Sequence, residues 1–237
     1  MKGAAVACLL AATPVAAQDI TSARYLEPSS AYGHNAVADG EYALLEITLS
    51  DGARKTFRFD GAVFEDTAPR LHDFDGDGAP EVVTVVSDFE TGARIQLWTA
   101  QEGQIVPAGS NAPIGQRFRW LAIAGIADFD GNGVDDIAYV DRPHLAKELV
   151  FVEVDMDAAT SRWTQMSRVA GLTNHHLGAA VIEGGVRTCM DQPPVVVTAS
   201  ADWSMIVETR FVDGTPQSQA IAPYSGVDGF APFLRCN

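Results

Sequence analysis

A chain of 237 residues that is 47% hydrophobic and 20% charged is too apolar for a disordered polymer, and long enough for one full-sized domain or a set of repeats. Its 31 acidic residues against 16 basic ones give a formal net charge of −15, which repels phosphate backbones and argues against nucleic acid as a partner. No internal stretch approaches the roughly 18 apolar residues of a membrane span, so stable membrane insertion is not expected.

Met1-Lys2-Gly3 opens with a positive charge, and Ala4 to Ala12 is a run of small and apolar residues. Thr13-Pro14-Val15-Ala16-Ala17 then places small residues where a signal peptidase reads, which predicts a signal peptide over 1–17 and a periplasmic or secreted chain starting at Gln18. Cys8 leaves with the leader. The leader carries Lys2 and no acid, so its loss takes the net charge to −16. An exported chain left with the even pair Cys189 and Cys236 is expected to form one disulfide.

Along the mature chain, Ala38-Asp39-Gly40-Glu41 precedes an apolar strand from Tyr42 to Leu49. Ser50-Asp51-Gly52-Ala53 supplies a hairpin turn, and Lys55 to Phe59 alternates as a strand does. From Thr67 onward one order of signals recurs. A small-residue strand comes first (Thr67–Leu71, Trp120–Ile126, Leu177–Ile182), and the first two lead into an acidic turn. A β-branched strand follows (Glu81–Val86, Asp136–Val140, Val195–Ala199), and a more exposed one comes next (Ala93–Trp98, Glu148–Val154, Met205–Phe211). An outer strand closes each unit (Gln104–Ala108, Arg162–Arg168, Gln217–Ile221).

Residues 73–88, DFDGDGAPEVVTVVSD, and 128–141, DFDGNGVDDIAYVD, are copies offset by 55. The step back to Asp39 is only 34, so the first unit reads as truncated. Units fall near 32–66, 67–119, 120–176 and 177–237. Four-stranded units repeated at this period predict an all-β chain folded as a β-propeller of about four blades, in an incomplete or open ring.

The acidic turns carry the strongest chemical signal. Asp73, Asp75, Asp77 and Glu81 stand at positions 1, 3, 5 and 9 of one loop, and Asp128, Asp130, Asn132 and Asp136 at the same positions of the other. Gly78 and Gly133 permit the backbone reversal, while the carbonyls of Ala79 and Val134 can add a ligand. Hard oxygen donors without sulfur or imidazole favour Ca²⁺. An EF-hand is excluded, because position 12 is Thr84 or Tyr139 and strands follow both loops. With Asn132 in place of an acid, the second loop is expected to hold the ion more weakly.

These loops, with the apolar strand after each, resemble the FG-GAP/VCBS repeats of integrin-α-like β-propellers, whose pattern is Asp-x-Asp-x-Asp-Gly-x-x-Asp. The chain as a whole is similar to small exported VCBS-repeat proteins of alphaproteobacterial type. The resemblance implies calcium held between the first two strands of a blade by Asp73, Asp75, Asp77, the Ala79 carbonyl and Glu81. In the other copy it implies Asp128, Asp130, Asn132, the Val134 carbonyl and Asp136. Glu81 and Asn132 depart from the pattern but still offer oxygen.

A second group of polar residues lies beside the inner strands: His34, Arg70, Arg119, Trp120, Asp141, Arg142, His144, Asn174 and His175. Inner strands line a propeller's axis, so these residues are candidates for a central mouth that takes an anion or a carbohydrate. The competing reading is that they satisfy one another. Adjacent His175 and His176 face opposite ways on a strand and do not share a metal. No nucleophile elbow, zinc motif, phosphate loop or dinucleotide fingerprint is present. The sequence therefore points to an exported, calcium-stabilised module that binds a protein or carbohydrate and carries no assigned catalytic residue. The alternatives are a hydrolase or lyase acting on a saccharide or ester at the mouth, and a scaffold whose calcium only stabilises.

Overall fold

The computed structural model describes residues 18–157 and 159–236, and these form an all-β, propeller-like arrangement of antiparallel sheets. The leader read at 1–17 lies outside them. Among the described residues, no helix is long and apolar enough to cross a membrane.

The first sheet has eight strands: β1 (Ile20–Pro28), β2 (Glu41–Leu49), β3 (Arg54–Phe57), β4 (Ala62–Glu65), β5 (Arg70–His72), β6 (Glu81–Asp88), β7 (Gly92–Gln101) and β8 (Gln104–Ser110). The second is a plain four-stranded meander of β9 (Leu121–Ala127), β10 (Asp136–Asp141), β11 (Glu148–Asp157) and β12 (Thr160–Ala170). The third holds β13 (Leu172–Thr173), β14 (Gly185–Cys189), β15 (Gln192–Ser200), β16 (Met205–Val212) and β17 (Thr215–Pro223). A 3₁₀ helix over Val227–Leu234 follows.

Four sequence units are thus distributed over three sheets. The short first unit does not stand as a separate sheet because β4 pairs on both sides. Glu41 and Tyr42 of β2 oppose Glu65 and Phe64, while Phe64, Val63 and Ala62 oppose Val86, Ser87 and Asp88 of β6. The remaining half of β6 takes β5, with Arg70 opposite Val83 and His72 opposite Glu81. The third sheet repeats this division, with β13 on one half of β15 and β14 on the other.

Each unit's second strand belongs to two cores. On β6, Val82 and Val86 pack with Leu45, Ile47 and Phe64, whereas Val83 and Val85 pack with Leu121, Ile123 and Ile137. On β10, Ile137 and Tyr139 face the first sheet while Ala138 and Val140 face Phe151, Val196 and Phe211. β15 sends Val196 into that core, and Val197 and Ala199 onto Phe230 of the 3₁₀ helix. The period of two along a strand explains this, since alternate side chains point to opposite faces.

The strand expected at Leu177–Ile182 is absent. That segment is a loop, and the inner strand of the fourth unit forms later as β14. The loop is used elsewhere: Gly178 N donates to Ala36 O at 2.9 Å and Ala38 N to Ala179 O at 3.1 Å, which stitches the first unit to the last. Gly178 turns the chain with φ 75°, a conformation that favours glycine.

Cys189 and Cys236 are disulfide-bonded across 47 residues. The bond ties the chain end beyond Phe230 to β14, so it holds the helix that covers the outer face of β15. In the chain-entropy view a loop of this length is worth about 4 kcal/mol. The variant Cys189→Ser/Cys236→Ser is expected to lose up to about that much. Denaturant unfolding with and without reductant checks this: reductant shifts the wild-type midpoint down to that of the variant and leaves the variant unmoved.

Candidate functional site

Both acidic loops close on the same set of hydrogen bonds. Asp73 accepts from Gly76 N (2.8 Å) and Gly78 N (3.0 Å), and Asp128 accepts from Gly131 N (2.7 Å) and Gly133 N (2.8 Å). At the third position Asp75 accepts from Asp77 N, as Asp130 does from Asn132 N. At the fifth, Asp77 accepts from Ala79 N, as Asn132 Oδ1 does from Val134 N. The acid that begins the next strand reaches back: Glu81 Oε2 takes Phe74 N and Asp136 Oδ2 takes Phe129 N, both at 3.0 Å.

This folding gathers three carboxylates per loop. Oxygens of Asp73, Asp75 and Glu81 lie within 4.8 Å of one another, and so do those of Asp128, Asp130 and Asp136. Asp77 and Asn132 stand beside these groups, each holding the turn through one oxygen. The loops are also neighbours, since His72 Nε2 sits 2.6 Å from Asp135 Oδ2.

Their inner acids differ in what sits opposite. Glu81 accepts the Thr99 hydroxyl on its second oxygen at 3.0 Å. Asp136 is fully buried, and its Oδ1 has no hydrogen-bond partner. Across the strand pair from Asp136 stands Glu153, whose carboxylate accepts from the Asn132 amide at 2.7 Å. Burial pushes Asp136 up to about 7, with the charges of Asp130, Asp128 and Glu153 adding to it; burial also raises Glu81. Glu153 restores the charge that Asn132 removes, which undercuts the charge argument for a weaker second loop. The sequence reading missed Glu153 because it lies on the neighbouring strand, where alternation marks it only as an outward polar residue.

Comparison with known families adds one finding. Residues 73–139 match the family model described as an FG-GAP-like repeat. The chain carries an FG-GAP-like repeat. The matched stretch runs from the first residue of one acidic loop to the strand after the other, so both loops and the strands β6 to β9 fall inside it. No curated protein and no solved structure matches the chain.

Outside that repeat's loops, the residues read as a central mouth divide into two groups. His34, Arg70, Trp120, His144, Asn174 and His175 converge and bond to one another and to nearby acids and buried backbone, leaving Asn174 Oδ1 without a partner. His34 Nδ1 lies 2.8 Å from Glu65, which also takes the Ser87 hydroxyl. Trp120 donates its indole N–H to Glu65 O at 2.7 Å and packs edge-on against His175. Arg70 pairs with Asp66, and Asn174 donates to Ala122 O. Arg119 stays near the surface with its guanidinium on Phe118 O. Asp141 and Arg142 lie in a separate crevice between the first two sheets.

The histidine pair fixes its own tautomers. His175 Nε2 meets the Ala179 carbonyl at 3.0 Å and must donate, so Nδ1 accepts from His144 Nε2 at 3.0 Å. A proton on that acceptor would set N–H against N–H. Burial, then the neighbouring histidines, lowers His144 to about 4 from an ordinary 6.5, and burial lowers His175 as well.

A folded pKa below the unfolded value means the unfolded chain binds more protons between about 4 and 6.5. Stability from this pair is therefore complete above the ordinary value and is lost as pH falls through that window. His144→Gln keeps a donor toward His175 and removes the titration. The variant is expected to be less acid-sensitive than wild type by on the order of 2 kcal/mol across the window. Unfolding midpoints measured for both chains at matched pH read the difference, and parallel curves would contradict it.

Proposed function

We propose that the chain is an exported interaction module whose FG-GAP-like loops are closed by Ca²⁺. The observation that carries this reading is the buried Asp136, with one carboxylate oxygen unpartnered beside Asp128, Asp130 and Glu153. A carboxylate taken out of water without a partner is costly, and a hard cation among three such groups removes both the repulsion and the orphan. Asp73, Asp75 and Glu81 would hold one ion, and Asp128, Asp130 and Asp136 the other. Asp77, Asn132 and the carbonyls of Ala79 and Val134 supply further oxygen. Bound calcium offsets part of each loop's negative charge and fixes the start of β6 and β10.

Export is supported by the leader-like start and the Cys189–Cys236 bond, which suits an oxidising compartment. A protein or carbohydrate is the partner class, and the acidic surface disfavours nucleic acid. A hydrolase or lyase at the axis would need open side chains there. His175, Asn174 and Trp120 are instead buried against one another and the backbone.

Thermal melts in EDTA, in millimolar Ca²⁺ and in Mg²⁺ test the reading. At a hundredfold excess over Kd, one site adds about 2.7 kcal/mol, with Kd on the order of 10⁻⁴–10⁻³ M for an extracellular module. Asp75→Ala and Asp130→Ala are each expected to remove a comparable share of the calcium shift. Asp136→Asn is expected to raise the midpoint in EDTA, because the amide can donate where the carboxylate repels, and to lose the second loop's response. Identical wild-type midpoints in all three solutions would end the calcium reading.

A further inference from the structure

Between the first and second sheets lies a crevice of about 470 Å³, within the roughly 300–1,000 Å³ typical of small-ligand sites. The segment after β8 forms one wall, and β10 and β12 form the other. We propose that this crevice binds a small ring-bearing monocarboxylate, such as a sugar acid. The proposal deepens the interaction-module reading and rests on it for the premise that the fold binds a ligand. It does not depend on calcium.

Its anchor is a pair of guanidinium groups drawn together by one buried acid. Asp141 is 3% exposed. It accepts Arg142 Nε and Nη2, both at 2.9 Å, on its two oxygens, and Arg168 Nη1 at 2.9 Å on one of them. Arg168 also reaches Glu148 through Nη1 and Gln165 through Nε. Arg142 Nη1 and Arg168 Nη2 then have no hydrogen-bond partner among the described residues. Two planar forks with unspent N–H groups, side by side in a crevice, match an incoming carboxylate.

Charge sets the valence of the ligand. The crevice wall itself holds two guanidinium groups and the single acid Asp141. Glu148 balances the second guanidinium from outside the lining. With Glu148 counted the group is neutral, so a monoanion can take the free Nη groups with little repulsion, whereas a dianion such as phosphate meets the buried Asp141 carboxylate at higher cost. The ring requirement comes from the other residues. Tyr139 and Trp163 line the same space, and the Trp163 indole N–H is already given to Ser161 Oγ at 2.9 Å, which leaves its ring as packing surface. Asn111 and Gln165 at the wall add hydrogen-bonding groups suited to hydroxyls.

The test is a titration of the full mature chain, by calorimetry and by NMR of the Trp163 indole, with glucuronate, benzoate, glucose, acetate and phosphate. It is run once in EDTA and once in Ca²⁺. Glucuronate or benzoate is expected to bind at millimolar concentration and to move the Trp163 indole signal in both buffers. The tighter of the two identifies the ring as saccharide or aromatic, while glucose and acetate bind at least about tenfold more weakly. Arg142→Gln is expected to weaken binding by about tenfold to a hundredfold, the scale of one charge-assisted hydrogen bond. Arg142→Lys, which keeps the charge but not the fork, falls between them and serves if the glutamine variant does not fold. Failure of both carboxylates to bind, binding that leaves the Trp163 signal still, phosphate outcompeting both, or an unaffected Arg142→Gln would each overturn the proposal. A calcium-insensitive melt with carboxylate binding intact would instead remove only the metal reading.

Discussion

The fold depends on three strands, β6, β10 and β15, that are apolar on both faces and buried on both. Two-sided burial gives each sheet its neighbours, yet it weakens the usual control of register. A one-residue slip in a half-buried strand exposes the whole apolar set, whereas in β6 it would only exchange one pair of valines for another. Register must come from the strand ends. The acids that begin β6 and β10 bond back to Phe74 N and Phe129 N, and these phenylalanines are themselves buried, Phe129 in the core between the second and third sheets. Each acidic loop is thus a clamp that sets where its strand starts.

The clamp has an electrostatic consequence. Acids at the first position of the strand accept a backbone N–H while the turn's own acids accept from glycine amides, so carboxylates accumulate at one point. The two copies resolve the burden differently. Glu81 shares it with the Thr99 hydroxyl, while Asp136 faces Glu153 across the strand pair and keeps an oxygen without a partner. The His72–Asp135 contact ties the two loops to each other, so whatever orders one turn also bears on the other.

Much of this was legible in the chain. The loops, the offset of 55 and the two-faced strands are local patterns, and local patterns survive folding. What escaped was the product of pairing between distant segments. Nothing in Ala62–Glu65 announces that it bridges β2 to β6, because bridging is a property of its partners. Leu177–Ile182 has strand-like residues but gives its backbone to the loop near Ala36, a contact that spans most of the chain. Glu153 entered the second loop for the same reason, since its role is set by register across β10 and β11.

The division of the expected mouth residues has a single local cause. Asp141 ends β10, and Arg142 takes a left-handed φ of 46°, which costs a non-glycine residue about 1–2 kcal/mol. Its N–H is held by Trp120 O at 2.9 Å, and its carbonyl accepts from Leu145 N and Lys147 N, so the turn is fixed from both sides. The reversal leaves Asp141 and Arg142 in the crevice while Pro143 and His144 continue toward the axis, where His144 meets His175. One strained residue therefore separates two environments of opposite character. The axis holds the His144–His175 pair, an indole and a paired Arg70. The crevice keeps the two guanidinium groups that the buried Asp141 cannot fully occupy.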